Sequence, residues 1–209
     1  MTWLFTDMSR TTQAIPVWAA LVSLAGPRGE PLVVSGGWDG AVRVWTLAGG
    51  PWAGAEHDGQ LGLLGWHIDS ECWRTDASSL AALAGPGGEP LVVSGSHDGT
   101  VRVWALAGGP WAGARQRGRP GVLGRFTDPA GLRSRPVTSL VVMVGPDGNP
   151  LVVTSSLDGV VRAWTLAGEC VNGLGDISAV WCLGTNSAYP TEIAMGFADG
   201  TLAGLRLLT

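Results

Sequence analysis

"SGSHDGTVRVW" runs from Ser94 to Trp104, and the same phrase returns as "SGGWDGAVRVW" from Ser35 and "TSSLDGVVRAW" from Thr154. Each copy keeps Asp-Gly and a tryptophan six residues beyond the aspartate. A fainter copy, "PTEIAMGFADGTLAGLRLL" from Pro190, keeps Asp199-Gly200 and has Leu205 at the tryptophan position. The residue before Asp-Gly is the one that changes: Trp38, His97, Leu157 and Ala198.

The repeat extends outward on both sides. "LAGPRGEPLVVSGGWDGAVRVWTLAGGPWAGA" from Leu24 is matched by "LAGPGGEPLVVSGSHDGTVRVWALAGGPWAGA" from Leu83, and "MVGPDGNPLVVTSSLDGVVRAWTLAG" from Met143 is a third copy. Repetition at this length sets the architecture, so it ranks above any local pattern. Within a unit, "PLVV" is a β-branched run, Asp-Gly is a hairpin turn, and "AVRVW" alternates apolar with polar residues. That alternation predicts the apolar residues inward and the arginines outward. A Pro/Gly turn and another apolar run precede these elements, and a later run such as "LGLLGWHI" follows them. Each unit therefore reads as a four-stranded antiparallel meander.

Four such units predict an all-β chain, a β-propeller of four four-stranded antiparallel blades in one domain, residues 1–209. The expected blades cover about 17–69, 76–128, 136–175 and 177–208. The last unit ends after its third strand. The N-terminal "TWLFTD", residues 2–7, matches "LGRFTD", residues 123–128, in the outermost strand of the second unit. The N-terminal strand is thus expected to pair into the last blade and close the ring. Small residues in the first strand of each unit (Ala19, Ala20, Ser78, Ser79, Ala81, Ser139, Ala179) suit a crowded axis. A homodimer forming an eight-bladed ring, or a piece of a longer ring, is the alternative.

The sequence resembles WD40-repeat proteins through "LVVSGGWDGAVRVW", "LVVSGSHDGTVRVW" and "LVVTSSLDGVVRAW". The resemblance implies a propeller that serves as a rigid platform for protein partners. It also implies an Asp–His–Ser–Trp hydrogen-bond network. Here no Gly-His pair precedes the blades, and the closing Trp-Asp is Trp45-Thr46, Trp104-Ala105 and Trp164-Thr165. Only part of that network is expected, from Asp39, Asp98 and Asp158 with Ser35, Ser94 and Thr154.

Composition narrows the chemistry. The chain has 13 basic residues, all arginine, and a formal charge of -4. The missing lysine excludes Schiff-base and P-loop lysine chemistry, and the charge argues against nucleic-acid binding. Six arginines between Arg115 and Arg135 meet one acid, Asp128, which suits a solvated loop or an acidic partner. Hydrophobic residues make up 45% of the chain, yet no apolar run approaches the ~20 residues of a membrane span. No secretory signal is legible at the start. The cysteines, Cys72, Cys170 and Cys182, lack zinc-ligand spacing and read as reduced structural thiols. No metal or cofactor is expected, and the arginine-, glycine- and alanine-rich composition reads as a bacterial, cytoplasmic protein.

In a meander, the turn between strands two and three lies at the same end as the connections between blades. Trp38, His97, Leu157 and Ala198 are therefore expected around one channel mouth. Trp73, Arg74, Arg133 and Arg135 are expected on the neighbouring connections, with Arg10, Glu71 and Asp76. This rim is the candidate site for a protein partner or a small-molecule ligand. His97, oriented by Asp76 or Glu71, is the candidate base should the chain be an enzyme, although no paired acid–base spacing, nucleophile elbow or phosphate loop supports one. His57 falls in a loop whose second copy reads "RQRG", so it argues poorly for a metal. At the opposite end, the repeated "AGGPWAGA" puts Trp52 and Trp111 in equivalent loops as second contact candidates. An interaction platform is the leading reading. A ligand-binding protein or small enzyme at the channel mouth, and a fragment of a larger signalling protein, are the alternatives.

Overall fold

In the computed structural model the described residues are 20–26, 29–37, 41–46, 62–68, 77–85, 87–106, 121–126, 135–175, 179–186 and 189–206. They contain β-strands and turns and no helix. The first sheet comprises β1 (Ala20–Ala25), β2 (Pro31–Gly36), β3 (Ala41–Thr46) and β4 (Gly62–Ile68). The second comprises β5 (Ala77–Ala84), β6 (Pro90–Ser96), β7 (Val101–Ala105) and β8 (Gly121–Phe126). The third comprises β9 (Val137–Val144), β10 (Pro150–Ser156), β11 (Val161–Thr165) and β12 (Cys170–Leu174). The last has three strands, β13 (Val180–Asn186), β14 (Tyr189–Phe197) and β15 (Leu202–Arg206). Every sheet is an antiparallel meander in chain order, the arrangement of propeller blades.

The hairpins share one solution. Ser96 N donates to Thr100 O at 3.1 Å, and Gly99 N donates to Ser96 O at 3.0 Å. Gly99 has φ of 75°, which L side chains rarely adopt. The Asp-Gly connection is thus a three-residue loop, His97-Asp98-Gly99, and glycine is needed as its last member. The same bonds recur around Gly159 and Gly200.

The first strands of successive sheets pack side by side, β1 against β5, β5 against β9 and β9 against β13. Small residues at these junctions, on the first and second strands, permit this. A Cβ on Gly36 would lie 2.7 Å from that of Ala77, and one on Gly95 would lie 2.5 Å from Cγ1 of Val137. Hydroxyls stitch the junctions: Ser78 Oγ donates to Val137 O and Thr138 Oγ1 donates to Val180 O, each at 2.7 Å.

Between sheets lies the apolar core. Leu32, Val34, Val42 and Val44 of the first sheet meet Val92 and Trp104 of the second. Leu91, Val93, Val101 and Val103 meet Leu140, Val152 and Trp164 of the third. Leu151, Val153 and Val161 meet Val180, Ile193 and Met195 of the last. Each middle sheet is therefore covered on both faces. That overturns the expected outward arginine of the second sheet, where Arg102 is buried at 3% exposure; Arg43 of the first sheet is buried too, at 7%. Among the described residues, β13 and β1 lack the packing seen at the other three junctions. Leu21 at 68% and Leu202 at 82% stand exposed on the first and last sheets. Residues 2–7, which would close the ring, lie outside the described residues.

Candidate functional site

The loops at one end of the sheets are held by their aspartates. Asp98 Oδ1 accepts from Thr100 N at 2.8 Å and from Thr100 Oγ1 at 2.5 Å, while Oδ2 accepts from Arg102 Nη2 at 2.9 Å. Asp158 repeats the arrangement, with Val160 N at 2.9 Å and Arg162 Nη2 at 3.0 Å. Asp199 keeps its bonds from Thr201 but has Ala203 where the others have arginine. Burial pushes the Asp98 carboxyl upward, yet the hydrogen bonds from Thr100 and Arg102 and the guanidinium charge outweigh it. The carboxyl ends below its ordinary range.

Deeper in the first three sheets the tryptophan indole donates to a hydroxyl on the neighbouring strand, diagonally across the ladder. Trp45 reaches Ser35 at 2.8 Å, and Trp104 and Trp164 reach Ser94 and Thr154 at 2.9 Å each. The serine–tryptophan limb of the network is thus present in three sheets. The aspartates of the second and third sheets turn to the arginine four residues on. This pairing was readable in "DGTVR" and "DGVVR", against "DGTLA" in the last unit.

The residues that differ between loops face outward. His97 and Ala198 are exposed, and Leu157 is 40% exposed. Leu157 N donates to Pro136 O at 3.2 Å and Ser156 Oγ donates to Arg135 O at 3.0 Å, which brings the exposed Arg135 to the same rim. Ala198 N donates likewise to Ala179 O at 3.0 Å. Trp38, Trp73, Arg74, Asp76, Arg133, Arg10, Glu71 and His57 lie outside the described residues, as do Trp52 and Trp111 of the opposite end. Cys170 and Cys182 are in no disulfide and both are exposed, and Cys72 lies outside the described residues. Among the described residues, no cluster of His, Cys, Asp and Glu could hold a metal ion, and no helix is long and apolar enough to cross a membrane.

The family model for the WD domain, G-beta repeat, matches residues 16–46 and 72–105, each match ending at the strand that carries the repeated tryptophan. Residues 16–46 and 72–105 are thus similar to WD40 repeats. Among curated proteins, this chain is 27% identical to Protein ROOT INITIATION DEFECTIVE 3 of Arabidopsis thaliana, over 79% of this chain and 32% of that one. It is 26% identical to Angio-associated migratory cell protein of Homo sapiens, over 97% of this chain and 62% of that one. The chain therefore spans about a third and about three-fifths of these relatives. WD40 repeats indicate a platform for protein–protein interaction.

Proposed function

We propose that the four sheets are blades of one four-bladed ring, at about the boundaries given above, and that the Asp-Gly rim holds a protein partner. One observation carries this reading. The loops around Gly99, Gly159 and Gly200 share a backbone, yet they present His97, Leu157 and Ala198 outward. A fixed frame with different tips suits recognition of an asymmetric surface, and the bonds to Pro136 and Ala179 tie the Leu157 and Ala198 tips to the preceding strand connections, which lowers the ordering cost of binding. Trp38, Trp73, Arg74, Arg133 and Arg135 would extend the contact, an arginine- and aromatic-rich set of the kind enriched in interfaces.

The experiment compares two substitutions of the same kind at opposite ends. Ala198→Arg alters the rim, while Ala167→Arg alters the exposed turn between β11 and β12 at the other end. Partners are captured on immobilised wild-type chain and identified by mass spectrometry. A partner retained by Ala167→Arg and lost with Ala198→Arg, and again with the double variant His97→Ala/Leu157→Ser, supports the rim. Loss with Ala167→Arg alone places the contact at the other end and refutes it.

A further inference from the structure

In the rim loops of the second and third sheets both oxygens of the aspartate are engaged. Oδ1 closes the turn, and Oδ2 takes the guanidinium of the arginine four residues on, Arg102 for Asp98 and Arg162 for Asp158. The loop of the last sheet keeps the first half of this arrangement and lacks the second. Asp199 Oδ1 accepts from Thr201 N at 2.9 Å and from Thr201 Oγ1 at 2.6 Å, while Oδ2 accepts from none of the described residues. The bonds from Thr201 hold this carboxyl below its ordinary range, so it is charged at neutral pH. Its surroundings have changed with it. Ala203 stands at the arginine position, opposite Met195, where the other two sheets set Arg102 opposite Ser94 and Arg162 opposite Thr154. Ala203 is exposed, whereas Arg102 is buried. Two residues before the aspartate, the serines Ser96 and Ser156 give way to Phe197. Phe197 is half-buried and joins Met195 in the core between the third and last sheets, which puts both on the face that Ala203 shares. One corner of the rim thus combines a carboxylate oxygen without its guanidinium, an open place over a methyl group, and an aromatic ring.

We infer that this corner is a socket for an arginine side chain of the partner, which supplies from outside the guanidinium that β7 and β11 supply from within. The repeat itself shows what fits. The same carboxylate oxygen, in the same loop, takes a guanidinium in two other sheets, at 2.9 and 3.0 Å. Arginine suits the place better than lysine. Its planar head bonds a carboxylate edge-on while its face and its apolar stem lie against Phe197 and Met195. The inference rests on the rim being the partner's surface and names the chemistry of one contact there, a basic segment. Because Asp199 is exposed, the contact adds little affinity of its own; it selects the charge and position of the partner's side chain.

The test titrates the full, isotopically labelled chain with N-acetyl-arginine methylamide and, separately, with its uncharged citrulline analogue, read by NMR. The arginine probe is expected to move the backbone amide signals of Thr201 and Ala203 saturably, and at least about threefold further than the citrulline probe at equal concentration. Thr100 and Val160 are the control within the same spectrum, since Asp98 and Asp158 already hold arginines. Asp199→Asn loses the effect while keeping an oxygen for Thr201, and Ala203→Arg loses it by filling the socket from within, as Arg102 does in the second sheet. Three outcomes each overturn the inference: no arginine-specific shift, shifts as large at Val160 as at Thr201, or shifts that persist in Ala203→Arg. No partner takes part in this titration, so it and the capture experiment with Ala198→Arg fail separately.

Discussion

The indole Nε1 of Trp104 lies 2.9 Å from Oγ of Ser94, with both groups buried inside the junction of the first two sheets. The tryptophan fills the space over Leu32, Val34, Val42 and Val44, and its one polar atom is satisfied within its own sheet. Ser94→Ala therefore leaves a buried N–H without this acceptor and costs about 1–3 kcal/mol. Ser35→Ala costs less, because Trp45 is only half-buried and its N–H can turn to water. Urea unfolding of both variants checks the order. Equal midpoints would mean that burial of the indole does not set the price of the lost bond.

Arg102 is nearly inaccessible, and the Asp98 carboxylate that meets it at 2.9 Å is about one-fifth exposed. Removing the acid by Asp98→Ala takes the carboxylate partner from a buried guanidinium and costs about 2–4 kcal/mol, somewhat below a fully buried pair because water screens the carboxylate. Asp199→Ala shifts the midpoint far less, since Asp199 is exposed and Ala203 stands where an arginine would pair with it. Comparable losses for the two variants would contradict the pairing.

The depressed Asp98 carboxyl fixes the sign of an acid effect. A carboxyl held lower in the folded chain than in the unfolded chain adds stability that is present above the unfolded value near 4 and is lost as pH falls through the folded value. Asp98→Asn should therefore narrow its stability deficit relative to wild type as pH is lowered from 6 to 3. Thermal melts across that range check it; a deficit that stays constant would mean that the carboxylate charge is not what stabilises the loop.

Much of this was legible in the sequence because the repeat supplies its own controls. Asp-Gly with a tryptophan at fixed spacing located the hairpins around Gly99, Gly159 and Gly200, and the sheets follow the predicted meander. The arginines were misread for a physical reason. Alternation along "TVRVW" separates the two faces of a strand, but both faces of a middle sheet are covered, so the polar face is also interior. Arg102 then needs a partner, and only the loop geometry aims Asp98 at it. The serine–tryptophan bond was expected from the family likeness, because residues ten apart meet only when the hairpin register is known. The outward tips of the rim were legible as varying positions, whereas the ligand they take leaves no imprint in a single sequence.

The left-handed turn glycine makes a separate prediction. Gly99 at φ of 75° admits a side chain only with strain, so Gly99→Ala costs about 1–2 kcal/mol. Gly99→Asn costs less, because asparagine tolerates that region better than other L residues. If both variants unfold at the same denaturant concentration, backbone conformation is not what requires glycine here.

Gly95 tests packing between sheets rather than the turn. A methyl group there would sit 2.5 Å from Val137 Cγ1 and 2.7 Å from Ser79 Oγ, so Gly95→Ala overfills the junction of β6 with β9 and costs about 1–3 kcal/mol. Val137→Ala alone is also destabilising, because it opens a cavity beside Leu140 and Val152 in the core between the second and third sheets. Combined, the two changes trade one methyl group for two across the same contact, and the double variant should be more stable than the sum of the single losses predicts by at least about 0.5 kcal/mol. Additive losses would place the strain of Gly95→Ala somewhere other than this junction, and the close approach of neighbouring sheets would no longer account for the glycine.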